Sequence, residues 1–100
     1  MEKNYKQLAV DLTRIVEIQL DFEDYSGDNV LALIQKSLKT RIEGLLRNDY
    51  STLLNILYRI DVPEKSVYEC MDHNSLEQVA DCLSDAVIQR QLMKIELRSK

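Results

Sequence analysis

The sequence predicts an all-α fold, a compact bundle of four to five mostly antiparallel helices around a single core in one domain, residues 1–100. Residues of the set AVILMFWYC make up 45% of the 100 residues, enough for one core in a chain too short for two. Two glycines and one proline are too few for the turns that strands need every ~8–12 residues. Apolar side chains recur instead at three- and four-residue steps, the spacing of one helix face.

The first predicted helix covers residues 3–22. Its apolar face is carried by Tyr5, Leu8, Leu12, Ile15 and Phe22. Residues 16–23 also alternate apolar and polar side chains, as a half-buried strand does, and the similar alternation of residues 93–98 would be the only partner. Because an isolated two-stranded ribbon is marginally stable, we interpret residues 15–22 as helix and keep the strand as the alternative.

A second helix is predicted over residues 29–47, where Ser26 or Asp28 can accept its free backbone N–H groups. Its apolar positions are Val30, Leu31, Ile34, Leu38, Ile42, Leu45 and Leu46. A third helix over residues 50–60 can be capped by Asp49 in the same way. The chain therefore kinks or turns between these two helices.

Pro63 marks the next boundary, because it lacks an N–H group and is tolerated only in the first turn of a helix. A short helix over residues 64–71 follows it. Ser75 and Gln78 have the spacing of a capping box, in which each side chain bonds the backbone N–H of the other residue. The last helix is predicted from this box to about residue 96.

Charge and cysteine content limit the compartment and the partners. Seventeen acidic against thirteen basic residues give a net charge of −4, which provides no positive field for phosphates, so we expect no nucleic acid. No apolar run approaches the ~20 residues of a membrane span, and no signal-peptide pattern is present. Cys70 and Cys82 could form at most one bridge, and we expect free thiols in a cytoplasmic protein without membrane association.

Zinc binding is the first chemistry to consider, because Cys70, His73 and Cys82 offer the thiolate and imidazole ligands that zinc prefers. Asp72 or Asp81 could add a fourth ligand, but the second ligand pair of a structural site is missing, so we expect no metal. No nucleophile pattern surrounds His73, the only histidine. We therefore expect no catalytic residue, no cofactor and no enzymatic activity, and we interpret the cysteines as small buried apolar groups.

The acidic segment 17–28 contains five carboxylates, which suggests calcium. When Gly27 is aligned with the sixth position of an EF-hand loop, however, Phe22 and Leu33 occupy the positions where carboxylates are required. The segment is therefore interpreted as a solvated acidic face or a docking patch for a basic partner.

The apolar spacing between Ile56 and Cys70 matches the core of a helix-turn-helix unit, whose reading helix would cover residues 64–71. That helix carries Glu64 and Glu69 against a single lysine, so it would repel phosphates. We therefore expect a helix-turn-helix arrangement that does not bind DNA.

Arg59 and Asp61 lie at a predicted helix end among apolar residues, where partial burial would require ion partners. Asp85 or Glu77 could pair with Arg59. Arg90 could pair with Asp61. We predict a structural ion pair that ties this turn to the last helix.

The run from Asp49 to Glu64, with Arg90 and Gln91 downstream, resembles a group of small all-helical bacterial proteins of no established function. The resemblance extends over about half of the chain. It implies an all-helical cytoplasmic protein and supplies no catalytic or ligand-binding residue.

These features predict a non-enzymatic protein-interaction or structural module that binds a protein partner or a second copy, as a homodimer, through apolar helix faces. The candidate residues are Val10, Ile18, Leu33, Val67, Tyr68, Ile88 and Leu97. The acidic segment 17–28 and the basic segments 36–47 and 90–100 would orient the partners. The alternative is a small-ligand or regulatory binding domain with a pocket between helices, lined by Tyr50, Tyr58 or Tyr68 and closed by Arg59.

Overall fold

The chain folds into five helices, and the computed structural model describes residues 4–20 and 29–98. The helices are α1 (Tyr5–Val16), α2 (Val30–Asn48), α3 (Tyr50–Ile60), α4 (Glu64–Met71) and α5 (Leu76–Arg98). The two described ranges contain no strand, so the predicted all-α class is confirmed. None of their helices is long and apolar enough to cross a membrane.

Side chains that accept backbone N–H groups begin three of the described helices. The pairs are Asn4 Oδ1 with Gln7 N (2.9 Å), Asp49 Oδ1 with Thr52 N (3.2 Å) and Ser75 Oγ with Gln78 N (3.1 Å). The predicted cap at Asp49 and the serine half of the predicted capping box are therefore confirmed. Ser26 and Asp28, the predicted caps of α2, lie outside the described residues.

The end of α1 differs from the prediction, because the helix stops at Val16 and not at residue 22. Glu17 adopts a left-handed conformation with φ 62°, which ends the helical path. The Arg41 Nε of α2 then donates to the Val16 carbonyl at 3.0 Å, one of the groups that a helix end leaves without a partner. A contact from α2 therefore stabilises the early end of α1.

The strand alternative is also wrong within the described part of the chain. Residues 15 and 16 are helical, and residues 17–20 form neither helix nor strand. The proposed partner strand, residues 93–98, belongs to α5. Residues 21 and 22 lie outside the described residues.

A single hydrophobic core joins the helices. α5 packs against each of the other four helices, and its contact with α2 is the most extensive. α1 and α3 also pack on α2, whereas α4 packs chiefly against α5. Each buried Leu or Ile side chain stabilises the fold by ~1.5–3 kcal/mol. The largest apolar side chains with full burial include Leu8, Leu12, Ile34, Leu38, Ile42, Leu53, Ile60 and Leu83.

A buried carboxylate connects the first and last helices. Asp11 of α1 is 1% exposed and accepts hydrogen bonds from Gln7 Nε2 (2.9 Å), Gln91 Nε2 (2.9 Å) and Arg98 Nη2 (2.8 Å). Burial alone would raise the pKa of Asp11, but these three hydrogen bonds outweigh it and hold the pKa below its usual value. The carboxylate is therefore ionised at neutral pH and ties α1 to the C-terminal half of α5.

Replacing Asp11 by Asn should lower the free energy of unfolding by about 2 kcal/mol at neutral pH, because Arg98 loses its carboxylate and the buried Gln91 amide loses a charged acceptor. The pKa of Asp11 is lower in the folded than in the unfolded chain. Its stabilisation is therefore complete above the ordinary value of 3.8 and is lost as the pH falls through the folded value. Urea denaturation followed by circular dichroism at neutral pH and at about pH 3 measures both effects.

The matched control is Asp85→Asn, which removes an exposed carboxylate from α5 and should change the free energy of unfolding by less than ~0.5 kcal/mol. Equal losses in the two variants, or a loss in the Asp11 variant that does not shrink in acid, would contradict the role of the buried carboxylate.

Candidate functional site

A groove runs along the hairpin of α3 and α4, with a volume of ≈ 570 Å³. We name this surface the tyrosine groove. It is lined by Tyr50, Leu54, Leu57, Tyr58, Asp61, Val62, Pro63, Glu64, Val67, Tyr68 and Met71. The three tyrosines that were predicted to line a pocket therefore meet at one site, whereas Arg59 is not among its lining residues.

The rim of the tyrosine groove is uncovered. Tyr50 is 48% exposed, Tyr58 87% and Tyr68 67%. The floor is buried, with Leu57 at 4% and Val62 at 8%. Single exposed apolar side chains are ordinary on a protein surface, but several of them around one groove are typical of a binding surface.

The turn between α3 and α4 determines the shape of the groove. Asp61 has φ 65° and ends α3 in the left-handed conformation. The Asp61 N–H donates to the Tyr58 carbonyl, and the Val62 N–H donates to the Leu57 carbonyl, each at 3.1 Å. This is the Schellman arrangement, which usually includes an apolar contact between the residues of the outer hydrogen bond. Val62 and Leu57 are both buried and line the groove. The turn therefore positions the two residues that form the floor of the groove.

An ion pair connects this turn to α5. Arg90 Nη2 lies 3.0 Å from Asp61 Oδ2, so the predicted pair between the turn and the last helix is confirmed. The predicted pairing of Arg59 with Glu77 is wrong, because Glu77 binds Lys39 at 3.1 Å. Arg59 is exposed, and no ion pair joins it to Asp85 in the described part of the chain.

The C-terminal half of α5 lies beside the end of α3, at the turn that borders the tyrosine groove. Arg90 also donates from Nη1 to the Met93 sulfur at 3.3 Å, and Lys94 Nζ lies 3.5 Å from the Arg59 carbonyl. We define the α5 end as Met93, Lys94, Leu97 and Arg98. Its two apolar side chains are uncovered, with Met93 50% and Leu97 62% exposed.

The two neighbouring surfaces differ in charge. The groove is lined by two carboxylates, Asp61 and Glu64, and by no lysine, arginine or histidine. The α5 end carries Lys94 and Arg98. Within the groove the Tyr68 hydroxyl donates to Glu64 Oε1 at 3.2 Å, and this bond to a carboxylate raises the pKa of Tyr68 above its usual value. The tyrosine therefore stays protonated and keeps Glu64 at the rim.

The predicted self-association residues do not form one surface. Ile18 and Ile88 are each 3% exposed and belong to the core, so their assignment to an exposed face is wrong. Leu33 is half-buried. Val67 and Tyr68 line the tyrosine groove, Leu97 belongs to the α5 end, and Val10 is 49% exposed on α1. The residues that sequence reasoning missed are Leu54 and Met93, whose exposure depends on the tertiary packing of α3 and α5.

The cysteines are joined, which corrects the expectation of two free thiols. A disulfide links Cys70, in the last turn of α4, to Cys82 of α5, with 5.3 Å between their Cα atoms. In this form neither sulfur is available as a metal ligand. His73 is exposed in the turn between the two helices, and no group of three or more potential metal ligands occurs among the described residues. Two cysteines on either side of one short predicted turn are the sequence signal that indicates this pairing.

Comparison of the chain with protein-family models, with curated protein sequences and with solved structures finds no significant match. The function of the site therefore has to follow from the chemistry of its own residues.

Replacing Asp61 by Gly should raise the free energy of unfolding by up to about 1 kcal/mol, because glycine adopts a positive φ without the steric cost of a side chain. The lost ion pair with Arg90 opposes this gain only weakly, since the Asp61 side chain is 75% exposed. Urea denaturation measures the change. Asp72→Gly is the matched control: Asp72 ends α4 with φ −80°, so glycine there should destabilise the protein. Destabilisation of similar size in both variants would show that the left-handed turn carries no strain.

Proposed function

We propose that the protein is a non-enzymatic interaction module that forms a homodimer through the tyrosine groove and the α5 end. One observation carries the proposal. Among the described residues, six of the seven large apolar side chains that are exposed belong to these two adjacent surfaces, and the seventh is Val10. They are Tyr50, Leu54, Tyr58, Tyr68, Met93 and Leu97. Tyrosine is also enriched among the residues that dominate the binding energy of interfaces.

Charge complementarity supports a second copy as the partner. The groove contributes Glu64, and the adjacent α5 end contributes Lys94. Asp61 and Arg98 are already paired within the chain, with Arg90 and Asp11. A two-fold axis that passes between the surfaces would place the groove of each copy against the α5 end of the other. Opposite charges would then meet twice, as the symmetry of an isologous dimer requires. A stable dimer of standard size buries ~800 Å² on each copy, and the proposed interface includes both surfaces.

A small-ligand site in the tyrosine groove is the second candidate function, and the groove volume of ≈ 570 Å³ favours it, since ligand sites measure ~300–1,000 Å³. Such sites usually enclose most of the surface of their ligand. Here Tyr58 and Tyr68 stand in solvent at 87% and 67% exposure, so the groove offers a floor and an open rim. This shape suits a protein surface better than a small molecule.

The proposal includes a cytoplasmic location and no binding of nucleic acid. Two cysteines in 100 residues are far fewer than in the disulfide-dense domains of secreted proteins, and the single disulfide that they form fits a cytoplasmic protein as a reversible bond. The net charge of −4, and the two carboxylates of the groove, disfavour contact with phosphates.

Replacing Tyr58 by Ala should raise the dimer dissociation constant at least ~tenfold, as expected for an interface tyrosine near the centre of the contact. At protein concentrations where both are monomeric, the variant should unfold at the same temperature as the wild type, because the 87% exposed Tyr58 side chain makes little contact within one copy. Sedimentation velocity over a concentration series measures the dissociation constant, and differential scanning calorimetry measures the unfolding temperature.

Val10→Ala is the matched control for Tyr58→Ala, because it truncates an exposed apolar side chain outside both surfaces and should leave the dissociation constant unchanged. A wild-type protein that remains monomeric at high micromolar concentration would exclude the dimer. Equal weakening by both substitutions would place the interface elsewhere.

A charge reversal tests the pairing of the two surfaces. Glu64→Lys alone and Lys94→Glu alone should each weaken the dimer, because each places like charges across the interface. The double variant restores opposite charges and should recover much of the lost affinity. Sedimentation velocity at low and at moderate salt gives the dissociation constants, and the single-variant losses should shrink with salt. Additive losses in the double variant would show that these residues do not face each other.

A further inference from the structure

The α4 wall of the tyrosine groove is weakly held by its own packing. α4 has eight residues, and helices of this length are not stable without tertiary contacts. Its N-cap, Pro63, provides no side-chain hydrogen bond, and Cys70 is the only residue of the helix that is buried. Val67 and Met71 are partly buried against the core. Since α4 packs chiefly against α5, its position depends on one interface and on the covalent bond that crosses it.

The Cys70–Cys82 disulfide crosses this interface next to the groove. Cys70 lies in the last turn of α4, directly before Met71, which lines the groove, and Cys82 lies on α5. Cys70 is 2% exposed, whereas Cys82 is half-buried. Cys82 is therefore the more exposed of the two residues, and we take it as the one that a reductant reaches first. Disulfides that occur in a reducing cytoplasm are usually transient and redox-sensing.

We propose that the Cys70–Cys82 disulfide is a reversible clamp that holds α4 in place as a wall of the tyrosine groove, so that reduction opens the groove and weakens the dimer. This inference rests on the proposed function for the cytoplasmic location that makes the bond reversible and for its effect on the dimer. The release of α4 on reduction does not depend on the proposed function.

The redox step is a thiol–disulfide exchange with a dithiol reductant. A thiolate of the reductant attacks the Cys82 sulfur, the sulfur–sulfur bond breaks, and Cys70 leaves as a thiolate that takes up a proton. The second thiol of the reductant then attacks the reductant sulfur that is bonded to Cys82. Cys82 leaves as a thiolate and takes up a proton. Two electrons and two protons pass to the protein, and the dithiol becomes a cyclic disulfide.

The test compares the full chain in its oxidised form and after treatment with dithiothreitol under native conditions. Alkylation with iodoacetamide and mass spectrometry report whether both cysteines have become thiols. Hydrogen–deuterium exchange should then show that the amides of α4 exchange at least ~tenfold faster, and that their rates rise by a larger factor than those of α2. Sedimentation velocity should show a dimer dissociation constant that is at least ~tenfold higher.

The matched control is the Cys70→Ala/Cys82→Ala double variant. It should exchange and dimerise like the reduced wild type, and dithiothreitol should have no effect on it. This comparison separates the loss of the bond from any other effect of the reductant.

Three results would overturn the clamp. A disulfide that resists dithiothreitol in the folded protein is a permanent structural bond and not a reversible one. Exchange that accelerates equally in α2 and α4 shows that the bond stabilises the whole fold. Faster exchange in α4 with an unchanged dissociation constant shows that release of α4 does not weaken the dimer. If the oxidised protein is monomeric, the proposed dimer fails, and the exchange rates of α4 and α2 still decide whether the bond clamps α4.

Discussion

The winding of the buried face of α5 determines where the other helices pack. Its buried residues come in adjacent pairs at four-residue intervals, beginning with Val79 and Ala80 and ending at Ile95. Because each four-residue step turns ~40° beyond a full turn, the buried face rotates by ~160° between Val79 and Ile95. The two ends of the helix therefore face different neighbours. Cys82 meets α4 near the start of α5, and Gln91 meets α1 near its end.

Local sequence signals predict most of the fold, because helix periodicity, caps and the single proline are local properties. The bounds of α2 to α5 differ from those predicted by at most about two residues. The end of α1 could not be predicted in this way, since apolar residues continue at helical spacing beyond Val16. The helix stops where Arg41 of α2 donates to the Val16 carbonyl. That hydrogen bond depends on the packing of two helices, which no short window of sequence contains.

The candidate site is predicted unevenly for the same reason. The aromatic side chains Tyr50 and Tyr58 follow from their positions on one helix, and the pairing of Asp61 with Arg90 follows from charge at a helix end. The rest depends on which faces are covered. Composition favours free thiols in a chain with only two cysteines, yet the turn between α4 and α5 returns Cys70 to the side of Cys82. Pairing of this kind depends on distance in the fold and not on the number of cysteines.

The same geometry explains why the tyrosine groove is open. α5 has four neighbours, and α2 covers the largest part of its buried face, so α3 and α4 reach the core only with their inner faces. Nothing in the described residues packs on the outer face of their hairpin, where Tyr58 is 87% exposed. A helix as short as α4 buries little apolar surface of its own, and the disulfide compensates for this by covalent attachment. The element that forms the groove is therefore also the element whose position a single bond can change.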